Sequence, residues 1–373
     1  MEPEAFHFGR RPELDGIRGL SVLAVIAWHA GIFFVKAGNI GVDVFFVLSG
    51  FLISTLLFQE WSRTGQIDLK AFYARRALRL FPVLFVVMTL YACYAAIFES
   101  GETSVNSFEY IAATLFYVAN WVQVIWGIHH PVLGHTWSLA IEEQFYLLYP
   151  AILLLALRFG VTYKKLLSIF GILVFAVVLN RFFLWEGAQS YDRMHMSLDT
   201  RADALLIGCF VSVLAFNGLL PKRRFAMHVL ALAASLSALL LGYFVITGVL
   251  NEQYYKHGIV TLTAICVGVI IACLMNQQLT FVRRMLQTRI LVWTGTISYG
   301  LYLWHIPVFF LVGRNPSWSG VQIQSVRLAA VFAVAAASYY LIEKPFLRLK
   351  DRLKSSDKVA PVEKSYEVVH VGL

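Results

Sequence analysis

The sequence predicts an all-α, polytopic transmembrane helical bundle of about ten spans, with both termini in the cytoplasm. Three observations lead there. Hydrophobic residues make up 59% of the 373-residue chain and charged residues only 14%, with a mean hydropathy of +0.68, far from a soluble balance. Apolar runs of about twenty residues, each enough to cross a hydrocarbon core, recur from end to end. The formal net charge of +9 gathers in short segments between those runs. That is the pattern of positive-inside anchoring, and it argues against a nucleic-acid partner.

In chain order the spans are expected at 17–36, 40–59, 78–98, 138–157, 166–185, 203–220, 226–248, 257–276, 290–312 and 325–343. Basic clusters stand at "HFGRR" near the N-terminus, "KAFYARRALR" at 70–79, "RFGVTYKK" at 158–165, "PKRR" at 221–224, "RRMLQTR" at 283–289 and "RLKDRLK" at 348–354. The alternate connections, "ESGETSVNS" and "WEGAQSYD", are poorer in Lys and Arg. This alternation requires that the aromatic segment 108–126 is not a full crossing. It is expected to be re-entrant, interfacial or tilted within the bundle. No cleavable signal peptide is expected, because the first run is too long for an h-region. Residues 1–350 read as one membrane domain and 351–373 as a short polar cytoplasmic tail, without fixed structure from about 355. Cys93, Cys209, Cys266 and Cys273 all fall in apolar runs at no metal-ligand spacing, so they read as small core residues.

Ionisable groups inside lipid are expensive and therefore mark function by default. Arg18 and His29 share one apolar stretch with ten residues between them, which puts them on nearly one helix face about 16 Å apart along the axis. On the predicted topology Arg18 is at the cytoplasmic entrance and His29 past the midpoint. Asp43 opens the second span on the outer side, Glu142 and Glu143 lie about a turn below the outer surface, and His305 is in the outer half of the ninth. Asp199, Arg201 and Asp203 stand at the outer entrance to the span over 203–220. Outer positions thus hold histidines and carboxylates, and the inner face holds arginines.

The strings "LDGIRGLSVLAVIAWH", "ARRALRLFP", "TWSLAIEEQFYLLYP" and "LIEKPF", in this order and spacing, resemble the integral-membrane acyltransferases of the acyltransferase-3 type. That family includes O-antigen, exopolysaccharide and nodulation-factor acetyltransferases and macrolide O-acyltransferases. Its Arg-x10-His motif falls on Arg18 and His29, and its Arg-x-x-Arg motif on Arg76 and Arg79, with Arg75 adjacent. The resemblance implies a bacterial multi-pass enzyme of the cytoplasmic membrane. Such an enzyme moves an acyl group, commonly acetyl, from acyl-CoA as co-substrate to a hydroxyl of a carbohydrate or glycoside. Some relatives carry an appended periplasmic hydrolase-like domain, which this chain is expected to do without.

The residues agree with that implication on chemical grounds. Arg18, Arg75, Arg76 and Arg79 suit the phosphates of acyl-CoA, because guanidinium forks grip anions by charge-assisted bonds. His29 suits a general base on a hydroxyl or a covalent acyl acceptor, a choice the sequence leaves open. Asp43, Glu142 or Glu143 is expected to orient it, as a carboxylate does in a triad, with Glu142 preferred for its place in the "WSL" string. Arg201, Asp203 and His305 are expected at the acceptor cavity or behind the imidazole, and a hydrogen-bonded core role serves His305 equally well. Ser49 reads as a packing residue without a Gly-x-Ser-x-Gly context. His129, His130 and His135 have no recognised ligand spacing, and no metal is expected. A permease or flippase for a lipid-linked saccharide is the alternative. It calls for inverted repeats, and none is evident in the chain.

Overall fold

In a bilayer every backbone amide must be satisfied within its own segment, so long apolar runs fold as helices. The computed structural model describes residues 9, 11–186, 191–248, 254, 258–313 and 319–355, and among these the chain forms helices and no strand. In order these are α1 (Pro12–His29), α2 (Ile40–Thr64), α3 (Leu69–Phe98), α4 (Gly101–Leu115), α5 (Ala119–Trp126), a 3₁₀ turn (Gly134–Thr136), α6 (Trp137–Arg158), α7 (Tyr163–Glu186) and α8 (Tyr191–His195). There follow α9 (Leu198–Phe216), α10 (Arg224–Thr247), α11 (Ile259–Met275), α12 (Thr280–Leu286), α13 (Arg289–Thr296), α14 (Ser298–Val312), α15 (Gly320–Ser338), a π-helical turn (Tyr339–Glu343) and α16 (Lys344–Ser355). Local chemistry sets several ends. The Asp68 carboxylate caps α3 by accepting the Ala71 N–H at 2.9 Å, and Ser319 with Gln322 forms a capping box that starts α15.

Six of the described helices are long and apolar enough to cross a membrane. The number rises to eight if α11 with α12, bent by 100°, and α13 with α14, bent by 70°, each count as one broken span. The other two expected spans correspond to α1 and α9, each with three Asp, Glu or Arg residues along it. The segment 108–126 is not one span-length helix: α4 and α5 part at 116–118, where Tyr117 takes a left-handed φ of 55°. The first span was expected to run to residue 36, but α1 stops at His29. Gly31 turns the chain with φ 74°, and Phe33 beyond it is 85% exposed. His29 is therefore the last residue of its helix, not an interior one. The residues 187–190 of the "WEGAQSYD" connection, the residues 356–373 of the tail, and His7, Phe8 and Arg10 of the "HFGRR" cluster lie outside the described residues.

Small residues let the central helices touch backbone to backbone, as membrane helices often do. A Cβ on Gly50 of α2 would stand 1.9 Å from the Leu205 carbonyl oxygen of α9, and one on Gly208 would stand 2.1 Å from that of Val47. The two largest of four packed clusters among the described residues hold the bundle together. The larger joins α1, α2, α6, α7, α9, α11 and α14 through residues such as Val25, Phe46, Phe51, Ile141, Leu205 and Leu301. The smaller joins α3 to α4 and the segment before α6 through Leu84, Met88, Tyr110, Ile111 and Leu133.

Candidate active site

Where α3 leaves the larger cluster, a cavity of about 140 Å³ opens among α1, α2, α3, α6 and α14. It is smaller than the roughly 300–1,000 Å³ of a site enclosing a whole drug-sized ligand, so it suits one end of a larger molecule. One wall is apolar, from Val42, Phe45, Phe46, Leu52 and Ile53 of α2. The opposite wall carries Arg76 and Arg79, with Arg18 contributed by α1. The three arginines differ in their partners. Arg76 is gripped bidentately by Glu143, with Nε donating at 2.9 and 2.8 Å to the two carboxylate oxygens, and it lies over the Tyr146 ring at 3.3 Å. Arg18 and Arg79 have no carboxylate within ion-pair distance among the described residues, and the strongest electrostatic neighbour of Arg79 is Arg18. Two guanidinium charges placed near each other without an ion-pair partner favour an approaching anion.

Arg75 is separated from this group. It turns toward Glu60 of α2 at 3.5 Å and does not line the cavity, because the step from 75 to 76 rotates a helical side chain by about 100°. The two glutamates both line the cavity and both pair with Arg76, Glu143 bidentately and Glu142 at 3.7 Å. Glu142 also accepts hydrogen bonds from Ser49 and, at 3.0 Å, from Tyr146. Ser49, expected only to pack, thus lines the site. So do Tyr117, Tyr299 and Tyr302, which had no signal beyond being aromatic in an apolar run.

Ser138 and Tyr302 close the far end, with their hydroxyls 2.6 Å apart and the Tyr302 hydroxyl donating to the His135 carbonyl at 2.9 Å. Behind them sit three imidazoles. The His135 and His305 rings are 5.0 Å apart, those of His305 and His29 are 4.9 Å apart, and His305 Nε2 lies 3.3 Å from His29 Nδ1. The expected orientation of His29 by a carboxylate is corrected here. Glu142 and Glu143 are engaged at the arginine end, Asp43 is bound elsewhere, and the partner of the imidazole is His305. The reason is the early end of α1, which leaves His29 beside α14 rather than α6.

Asp43, Arg201 and Asp203 belong to a separate buried network. Asp43 accepts from Arg201 at 2.5 Å and from Tyr254 at 3.2 Å. Asp203 accepts from Arg181 at 2.8 Å and from Thr261 at 2.6 Å. All four charged side chains are nearly inaccessible, from 1% to 3% exposed, and they knit α2, α7, α9 and α11 together. The expectation that Arg201 and Asp203 border an acceptor cavity therefore gives way to ion pairing. His129 pairs with Asp192 at 2.9 Å. His130 accepts the Leu133 N–H at 3.0 Å and meets Ser107 Oγ at 3.0 Å; burial pushes its pKa down to about 4. The three histidines of that segment thus take three different roles. Glu343 was passed over within "LIEKPF". It is 4% exposed in the π-helical turn, where such turns often mark function, with one carboxylate oxygen unpartnered and Arg79 as the charge that acts on it.

The acyltransferase-domain family matches residues 11–342, which hold every cavity residue named above. OatA of Listeria monocytogenes, a peptidoglycan O-acetyltransferase, is 34% identical over 90% of this chain and 55% of its own length. YrhL of Bacillus subtilis, provisionally named for the same activity, is 31% identical over 90% of this chain and 54% of its own. The chain thus spans about half the length of the curated relatives it matches. No solved structure matches it. The chain belongs to the acyltransferase-domain family of membrane O-acyltransferases.

Proposed function

We propose that this protein takes an acyl group, commonly acetyl, from acyl-CoA at the cytoplasmic face and passes it to a carbohydrate hydroxyl, with a peptidoglycan-type glycan as the acceptor class. One observation carries the reading. Helix α1 holds in its second turn an arginine without an ion-pair partner among the described residues, Arg18 beside Arg79, and an imidazole, His29, as its last residue. The acceptor class rests on the activity named for OatA.

In this reading Arg18 and Arg79 hold the donor phosphates at the cavity mouth, and the thioester enters between α2 and α6. Arg76 contributes less, because Glu143 already satisfies it. The Tyr302 ring stands between the cavity and the imidazoles and has to move for transfer. His29 then takes the acceptor proton as the hydroxyl oxygen attacks the thioester carbonyl. The C–S bond breaks, CoA leaves as thiolate, and the imidazolium returns the proton to sulfur. In the covalent variant the imidazole attacks the thioester first, the C–S bond breaks and CoA leaves as the thiol. The acceptor hydroxyl then opens the acyl-imidazole, giving the ester and returning its proton to the imidazole nitrogen.

The test is turnover by a correctly inserted His29→Gln protein, given acetyl-CoA and peptidoglycan fragments and followed by CoA release. An amide hydrogen-bonds but takes no proton at neutral pH, so transfer is lost while CoA binding stays near wild type. A wild-type rate would overturn the assignment.

A further inference from the structure

The His29–His305 pair admits one consistent arrangement of protons. A carbonyl oxygen only accepts, so a ring nitrogen at hydrogen-bond distance from one carries the hydrogen. His305 Nδ1 lies 2.5 Å from the Tyr302 carbonyl oxygen and therefore donates to it. A neutral imidazole has a single N–H, which leaves His305 Nε2 as a bare acceptor. That nitrogen stands 3.3 Å from His29 Nδ1, and His29 Nδ1 also lies 3.0 Å from the Val25 carbonyl oxygen. Both neighbours of His29 Nδ1 accept, so Nδ1 holds the hydrogen and shares it between them. The lone pair of His29 is on Nε2.

We propose that His305 is a positioning residue: it locks His29 in the Nδ1–H tautomer and so presents Nε2 as the nitrogen that takes the proton or the acyl group. The second nitrogen of a working histidine commonly sets its tautomer in this way. What differs is the orienting group, an imidazole in place of a carboxylate. His305 suits the task because it is fully buried, at 0% exposure. Its ring is flanked edge-on by His135 at 5.0 Å and Phe309 at 6.1 Å. A protonated His305 would turn a second N–H toward His29 Nδ1–H, so the arrangement holds only while His305 is neutral. The catalytic consequence rests on the proposed role of His29; the tautomer does not.

Two measurements test it. In protein labelled with ¹⁵N-histidine, with the His29 signals assigned by comparison with His29→Gln, the wild-type ring shows a protonated Nδ1 and a bare Nε2 without donor or acceptor present. The opposite tautomer would overturn the proposal. In turnover, His305→Leu lowers kcat roughly 10- to 100-fold with KM for acetyl-CoA unchanged. His305→Gln, whose amide oxygen falls near the position of Nε2, recovers most of that loss. Equal losses in the two variants would overturn the positioning role, since a group that itself moves the proton is not replaced by an amide. If His305→Leu fails to insert, His305→Phe takes its place, with the same expected loss of kcat relative to His305→Gln and the same overturning outcome. A His29→Gln protein with full turnover would remove the proposed function while leaving the tautomer result standing.

Discussion

The arginines of α7 and α9 and those that line the cavity are equally foreign to an apolar bundle, yet the protein treats them in opposite ways. Arg181 and Arg201 are almost fully buried and each meets an aspartate, Asp203 and Asp43. Arg18 and Arg79 are half-buried, face the cavity and each other, and meet no carboxylate at ion-pair distance among the described residues. Removing a charge from water is tolerated when a partner of opposite sign replaces the lost solvation. The first pair of arginines is complete within the chain and holds helices together. The second, in the proposed function, is completed by the donor phosphates. The buried and half-buried arginines of these helices thus divide by pairing: those with a carboxylate partner join helices, and those without one face the cavity.

The largest expected effect tests the structural half of that contrast. Asp203→Ala leaves the Arg181 guanidinium buried and unpaired, and destabilises the protein by about 3–5 kcal/mol, read as a lowered unfolding midpoint or a loss of monodisperse protein in detergent. An Asp203→Ala protein that melts like wild type would break the comparison. The Arg76–Glu143 pair is intermediate, inside the cavity yet satisfied. A double-mutant cycle with Arg76→Ala and Glu143→Ala, measured as unfolding free energy, is expected to give a coupling of about 1–3 kcal/mol. A coupling near zero would move Arg76 into the ligand-seeking class.

Arg18→Ala and Arg79→Ala sharpen the other half. Each is expected to weaken acyl-CoA binding by about 1.5–3 kcal/mol, the range for a hydrogen bond to a charged group, with unchanged or slightly raised stability because a like-charge contact is relieved. Lysine restores only part, since a point charge does not reproduce the guanidinium fork. Isothermal titration with acetyl-CoA reads the first effect and thermal unfolding the second; a variant that unfolds early with normal affinity contradicts the assignment. The smallest effect is expected for Arg75→Ala. Its pairing with Glu60 is partly solvated and contributes about 0–1 kcal/mol, and CoA affinity stays at the wild-type value.

Periodic and compositional signals were legible well before any contact was known. The helices over 40–64, 69–98, 137–158, 163–186 and 224–247 lie where long apolar runs lie, while segment 108–126 is divided between α4 and α5. The end of α1 was misread because "AGIFFV" is as apolar as the helix before it, and hydropathy does not register a glycine that turns with positive φ. The site was legible in part. Arg18, Arg76, Arg79 and Glu142 do gather at one cavity. Arg75 and Arg76 were not separable, since adjacent helical residues face different neighbours and the sequence does not say which. Asp43, Arg201 and Asp203 looked like site residues because burial and pairing are tertiary facts.

The sequence by itself determined that this chain is a helical membrane protein and which few residues are too costly to be in its spans without a reason. Both follow from transfer free energies, which belong to residues one at a time. Only the tertiary structure decided which of those residues were already satisfied. It set Arg201 against Asp43, left Arg18 beside Arg79, and brought His305 to His29 across 276 positions of chain. A hydrogen bond or an ion pair depends on where two side chains meet in space, and helix packing sets that, not spacing along the chain.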